Sequence, residues 1–363
     1  MRQLLFTILI ILSVSVNAQP ARKGTVQIKT FVANSIKQNI TGEDINRRVT
    51  IYLPPGYSAS KLSYPVIYFL HGVLSDDAEV MKYMGLQALM DQAITDGRIH
   101  PVILVVPNSD TKFRGSFYTN SAATGNWADF IAKDLVKFID ANYRTIPEKN
   151  ARGLSGHSMG GNGTLKIGMT NAEAFGAIYA MSPAVLNWAN EFNPTAPAFK
   201  KILAAKTEDD IFKSLKNPEN TSFDDFYAVI LSNLARTYSP NPSNQLLRGN
   251  IPASLSGDSL LLNEKISKEW EANFPFNMID SHLEALKSFN AIKMDWGRDD
   301  EFSHIPATSL QFSKKLEDHK IKHFAEEYNG DHTNKLDGLS GRFFTELLPF
   351  FNTYLVKARQ KVN

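Results

Sequence analysis

"RGLSGHSMGGNGTLKIGM" occupies Arg152 to Met169 and sets a run of glycines around His157 and Ser158. Three glycine-rich motifs compete for this stretch. A dinucleotide-binding turn needs G-x-G-x-x-G, but Gly161-Asn162-Gly163 leads to Lys166 where the third glycine belongs. A phosphate-binding loop needs lysine after G-x-x-x-x-G, and here Asn162 follows Gly156 to Gly161. What matches is G-x-S-x-G, Gly156 to Gly160, which occurs once in the chain. A serine on a sharp strand-to-helix turn takes a strained backbone conformation that pushes its Oγ into the open. Side chains two residues to either side would collide, so both must be glycine. Gly161 and Gly163 suggest a helix pressed close to the sheet.

The flanks of that turn suit a parallel α/β fold. "YPVIYFLHG" (64–72), "HPVILVVPN" (100–108) and "FGAIYAMSP" (175–183) are short, continuous apolar runs. Such runs suit central strands covered on both faces. "GTVQIKTFVANS" and "RRVTIYLPPGY" alternate instead, as half-buried strands do. "NAIKMDWG" and "IKHFAEEYNG" supply two later strands, and "MGLQALMDQAITDG" and "NWADFIAKDLVKFIDANY" read as helices between earlier ones. Strands alternating with helices predict a mostly parallel central sheet flanked by helices. One connection is long: about 184–288 separates two core strands, far above the ~12 residues a crossover needs. Thr207–Asp210 and Ser222–Asp225 read there as capping boxes, "MIDSHLEALKSF" as a helix, and "YSPNPSNQLLRGNIPAS" (238–254) as loop. The insertion is predicted to be a helical lid on the carboxyl edge of the sheet.

A serine hydroxyl is a weak nucleophile. It needs a histidine base, and the base needs a carboxylate that fixes its tautomer. On this fold they follow in the order serine, acid, histidine. The later histidines are His282, His304, His319, His323 and His332. His332 sits in "YNGDHTN", just past the last strand, where a base is required; His304 is the reserve. "MDWGRDDEF" offers the acid: Asp295 lies within the strand, and Asp300 closes the turn, with Asp299 as the alternative. The oxyanion amides are expected from Met159, directly after the serine, and Val73, in the loop "LHGVLSDD".

Composition narrows the functional classes. The 363 residues are 43% hydrophobic and 21% charged, an ordinary globular balance. With 39 basic against 37 acidic residues, and no dense basic block, nothing marks a nucleic-acid binder. The chain holds no cysteine, which excludes thiol catalysis, cysteine-ligated zinc and a lipidated cysteine. "MRQLLFTILIILSVSVNAQ" pairs Arg2 with an apolar run and a cut site after Ala18. It is predicted to be a signal peptide over 1–18, giving a periplasmic or extracellular protein with no membrane span.

The stretches "YPVIYFLHGVLSDD", "GSFYTNS", "GNWADFIAKDLVKFIDANYRT", "GLSGHSMGGNGTLKIGM", "DWGRDDEF" and "GDHTNKL" cover most of the chain outside the insertion. Together they resemble the α/β-hydrolase family of esterases that includes esterase D (S-formylglutathione hydrolase), feruloyl and acetylxylan esterases, and mycolyltransferases. The resemblance implies an α/β-hydrolase fold with Ser158, Asp300 and His332 as triad and Val73 and Met159 as oxyanion donors. It implies a serine esterase that needs no metal or organic cofactor and takes a small-molecule or carbohydrate ester. Formylglutathione hydrolases are cytoplasmic, whereas this chain opens on an export signal, so environmental esters such as acylated plant polysaccharides are the expectation. Two other readings stand beside it: an acyltransferase using the same triad, and a non-catalytic binding module on the same fold.

Overall fold

The computed structural model describes residues 23–216 and 221–360; the signal-peptide expectation over 1–18 lies outside them. The central sheet has eight strands: β1 (Thr25–Val32), β2 (Asn46–Leu53), β3 (Val66–Leu70), β4 (Ile103–Pro107), β5 (Arg152–His157), β6 (Ala177–Met181), β7 (Ala291–Gly297) and β8 (Phe324–Tyr328). Their order across the sheet is β1-β2-β4-β3-β5-β6-β7-β8. β1 and β2 pair antiparallel, as do β2 and β4; every later pairing is parallel.

Two of the continuous apolar runs, 64–72 and 100–108, became inner strands of this sheet for a simple reason. Every residue of β3 and β4 is buried. Because side chains alternate along a strand, Val66, Tyr68 and Leu70 join one core, while Ile67 and Phe69 join the other. The first core packs under Trp127, Phe130, Ile131 and Leu165. The second packs under Leu86, Leu89 and Met90 of helix α1 (Leu86–Thr95) and Phe351 of a C-terminal helix (Leu348–Tyr354). A one-residue slip of β3 would drive Val66, Tyr68 and Leu70 into the space packed for Ile67 and Phe69, and such misfits cost about 1–3 kcal/mol each. The edge strand β1 keeps only partial burial, with Ile28 and Val32 exposed.

Helix α1 ends where the sequence placed its stop, with Gly97 at φ +71°. The stretch 127–142 is helical but contains a π-helical turn over Phe130–Leu135. Helix α2 (Met159–Thr170) follows β5 directly and is buried along nearly its whole length.

Between β6 and β7 the long connection carries several short helices and one long one, α3 (Phe223–Tyr238). Both capping boxes form: Thr207 with Asp210, and Ser222 with Asp225. Two local readings need correction. "MIDSHLEALKSF" is not one helix: Pro275–Met278 is followed by a 3₁₀ turn at Ile279–Ser281, and His282 at φ −127° interrupts before Leu283–Lys287. The second is the far side of "YSPNPSNQLLRGNIPAS", which enters a two-stranded hairpin, Ala253–Ser256 with Ser259–Leu262. Leu255, Leu261 and Leu262 of that hairpin are exposed, so it lacks the one-sided burial that makes a strand pattern readable.

Candidate active site

Parallel strands all present their carboxyl ends on one edge, and this is where ligands gather in such sheets. β3 ends at Leu70, before the loop of Val73; β5 ends at His157, before Ser158; β7 ends at Gly297, before Asp300; β8 ends at Tyr328, before His332.

Ser158 adopts φ +59° and ψ −117°, between β5 and α2. Such a conformation costs a non-glycine residue on the order of 1–3 kcal/mol and persists only if its surroundings hold it. They do: the Ser158 amide donates to Met181 O (3.0 Å), and its carbonyl accepts from Asn162 N (3.0 Å) and Ala184 N (3.2 Å). The flanking glycines are steric requirements. A Cβ on Gly160 would lie 2.1 Å from Leu70 O, and one on Gly156 would lie 2.6 Å from Gly160 O. Gly161 approaches the end of β6, at 2.7 Å from Met181 O. Gly163 answers to something other than the sheet: a Cβ there would strike the Tyr118 ring at 2.5 Å.

The acid and the histidine form a buried pair. His332 Nδ1 and Asp300 Oδ2 are 2.7 Å apart, and the Asp300 side chain is fully buried. Its other oxygen, Oδ1, accepts from the Phe302 amide at 2.9 Å. Asp299 is exposed, and its amide donates to Gly330 O, lacing the acid turn to the histidine loop. Asp295 faces away, toward Tyr179 Oη (2.5 Å) and the Arg342 guanidinium. With Nδ1 held by a carboxylate, the His332 proton sits on that side and Nε2 is free to act as a base.

His157 had no role in the sequence reading. Its Nε2 donates to His332 O at 2.8 Å, and the two rings lie 4.6 Å apart. Burial, then the charge of His332, pushes His157 down to about 3, so it is a neutral donor at working pH. His71 plays a matching part on the other wall. Its Nδ1 donates to Gly72 O (2.8 Å), and its Nε2 accepts from the Ser109 amide (2.9 Å). Both bonds together need the neutral ring, and burial holds His71 at about 4. Tyr118 Oη donates to His71 O (3.0 Å). Leu74 N donates to Arg114 O (3.0 Å), so the loop bearing Val73 is anchored on both sides. It passes close to the serine: a Cβ on Gly72 would sit 3.6 Å from Ser158 Cβ. Met159 opens α2, where amides lack intrahelical acceptors.

Ser158, His332, Val73 and Glu301 line one cleft of about 480 Å³, walled by Phe226 and Phe302. A wider groove of about 750 Å³ continues past those two rings and carries Lys112 and Arg114. On the inner side a narrow cavity of about 30 Å³ opens beside Ser158, lined by Val73, Phe117, Ile230 and His304 among others. His304 therefore lies in the site, but its Nδ1 faces Glu191 at 2.8 Å. His282, His319 and His323 bond elsewhere: His282 to Met278 O, His319 to Asp280 and His323 to Ser313 and Ile321 O. Trp127 and Trp270 are fully buried, and Trp188 stacks on Trp270 at 5.8 Å. The rings that wall the site are Phe226 and Phe302, which the sequence reading missed.

Comparison with known proteins places this geometry. The sequence model of a family described as "Putative esterase" matches residues 40–336. An esterase of Mycobacterium tuberculosis is 32% identical over 159 residues, 40% of this chain and 33% of that one. The S-formylglutathione hydrolase of Arabidopsis thaliana is 30% identical over 154 residues, 37% of this chain and 50% of that one. An endo-1,4-beta-xylanase/feruloyl esterase of Xylanibacter ruminicola is 33% identical over 162 residues, 42% of this chain and 21% of that one. The match thus spans half or less of each of these relatives. Among solved structures, a ferulic acid esterase aligns with TM-score 0.61 over 92% of this chain and 99% of that one, at 17% identity. An S-formylglutathione hydrolase from Agrobacterium tumefaciens gives 0.56 over 94% and 99%, at 14% identity. The fold is that of the α/β-hydrolase esterases.

Proposed function

Because the chain belongs to the esterase family matched over residues 40–336, we propose that it is a serine hydrolase of carboxylic esters. The observation that carries this reading is the buried His332–Asp300 pair at 2.7 Å, facing the same cleft as a serine held at φ +59°. In the proposed reaction His332 Nε2 takes the proton of Ser158 as Oγ attacks the ester carbonyl. The Val73 and Met159 amides receive the oxyanion; each such donor is worth about 10²–10³ in rate. The tetrahedral intermediate collapses, the alcohol leaves with the proton from His332, and the acyl group stays on Ser158. Water, deprotonated by the same histidine, then attacks the acyl-enzyme and releases the acid. Asp300 keeps the imidazole oriented and stabilises it while charged.

The cleft and the groove beyond it give the alcohol portion its room, and a polysaccharide acyl ester fits that reading. It is supported by the Xylanibacter ruminicola relative, whose name joins a xylanase to a feruloyl esterase. Export through residues 1–18 belongs to the same proposal. Among the described residues no helix is long and apolar enough to cross a membrane. The test is p-nitrophenyl acetate hydrolysis by wild type and Ser158→Ala. The reading expects the variant to lose enzymatic turnover; equal rates would refute it.

A further inference from the structure

The narrow cavity beside Ser158 has apolar walls from Val73, Phe117, Met159, Val185, Ile230 and Ile305. It has one polar wall, built by His304 and Tyr227. His304 is 3% exposed, and its Nε2 is buried with no hydrogen-bond partner. The opposite ring edge is fully engaged. Nδ1 meets Glu191 Oε1 at 2.8 Å, and Tyr227 Oη donates to the same oxygen at 3.0 Å. Glu191 also accepts from the His304 amide at 3.1 Å and from Ser303 Oγ. Burial raises the Glu191 carboxyl, but the bonds from His304 and Ser303 outweigh it and hold it at about 2. Glu191 is thus a carboxylate that holds the Nδ1 edge of the ring, and Nε2 is the ring nitrogen left without a partner.

A buried polar atom without a partner costs about 1–3 kcal/mol, and one on a residue that lines the cavity beside Ser158 is explained if the substrate pairs it. We infer that this cavity seats the acyl chain of the substrate, and that the chain is short and bears a hydroxyl that pairs with His304 Nε2. At about 30 Å³, against ~10–15 Å³ for one water, the cavity suits a short acyl chain rather than an aromatic one. A wall of apolar groups with one unpaired polar atom selects a hydroxyl over a methyl. Ser158 lines both this cavity and the outer cleft, so the acyl portion can occupy one and the alcohol portion the other.

The inference rests on the serine-esterase reading. Its test uses matched esters: ethyl acetate against ethyl glycolate, ethyl butyrate against ethyl 3-hydroxybutyrate, and ethyl ferulate, with kcat/KM followed by pH-stat. Wild type is expected to favour each hydroxylated ester about 10-fold or more. His304→Phe is expected to bring the ratio near unity; the wild-type comparison stands even if that variant does not fold. Equal kcat/KM within each pair, or ferulate as the best substrate, overturns the inference while leaving the esterase reading intact. No hydrolysis of any ester, with no fluorophosphonate adduct on Ser158, overturns both.

Discussion

His157→Phe separates a positioning role from simple packing. Phenylalanine keeps a ring against His332, 4.6 Å from it in the native protein, but removes the donor to His332 O at 2.8 Å. That carbonyl belongs to a residue 6% exposed, so water does not replace the lost bond. Leaving a buried acceptor unpaired costs about 1–3 kcal/mol. If the histidine loop shifts to relieve it, the base leaves its working position and kcat falls about 5- to 150-fold. KM changes little, because the lost interaction touches neither acyl nor alcohol portion. His157→Gln, which restores an N–H donor, recovers part of kcat. The assay is initial-rate hydrolysis of p-nitrophenyl acetate by each variant, with thermal unfolding to show that each is folded. A folded His157→Phe enzyme with kcat within about twofold of wild type refutes the positioning role, and so does a glutamine variant no better than phenylalanine.

Other outcomes follow from the same geometry. Asp300→Asn, which leaves His332 in the wrong tautomer, lowers kcat by about 10⁴, while Asp299→Asn, at an exposed position, stays within about twofold; a stopped assay on both variants distinguishes them. Gly160→Ala drives a methyl to 2.1 Å from Leu70 O, and denaturant unfolding should show a loss of about 3 kcal/mol or more. Stability also falls with acid. His71 and His157 stay neutral down to about 4 and about 3, while in the unfolded chain they protonate near 6.5. The unfolded state therefore binds more protons below pH 6.5, and stability declines as pH drops from there toward the folded values. At pH 5 each contributes a loss of about 2 kcal/mol relative to pH 8, measurable by urea unfolding at both values; a flat profile contradicts it.

The candidate site was legible because its residues are tied to strand ends. Apolar runs located β3, β4 and β6, and the residues just past β5, β7 and β8 were then forced onto one edge. What the sequence could not carry were contacts between residues far apart in it. His157 and His332 are 175 positions apart, and Glu191 and His304 are 113 apart. His71 reads as an ordinary loop residue until Ser109 and Tyr118 close around it. Phe226 belongs to an amphipathic helix, where a ring that walls a pocket has the same spacing as one that fills a core. The break at His282 was hidden because the apolar spacing from Met278 to Leu286 runs through it.

The central claim is that Ser158 forms an acyl bond poised between His332 and the Val73 and Met159 amides. Its most direct measurement is intact-mass and peptide analysis after a fluorophosphonate, on wild type and His332→Ala. The account predicts one adduct per chain on Ser158 in wild type, and labelling slowed by orders of magnitude without the histidine. No adduct, an adduct on another residue, or equal labelling of the two proteins would contradict it.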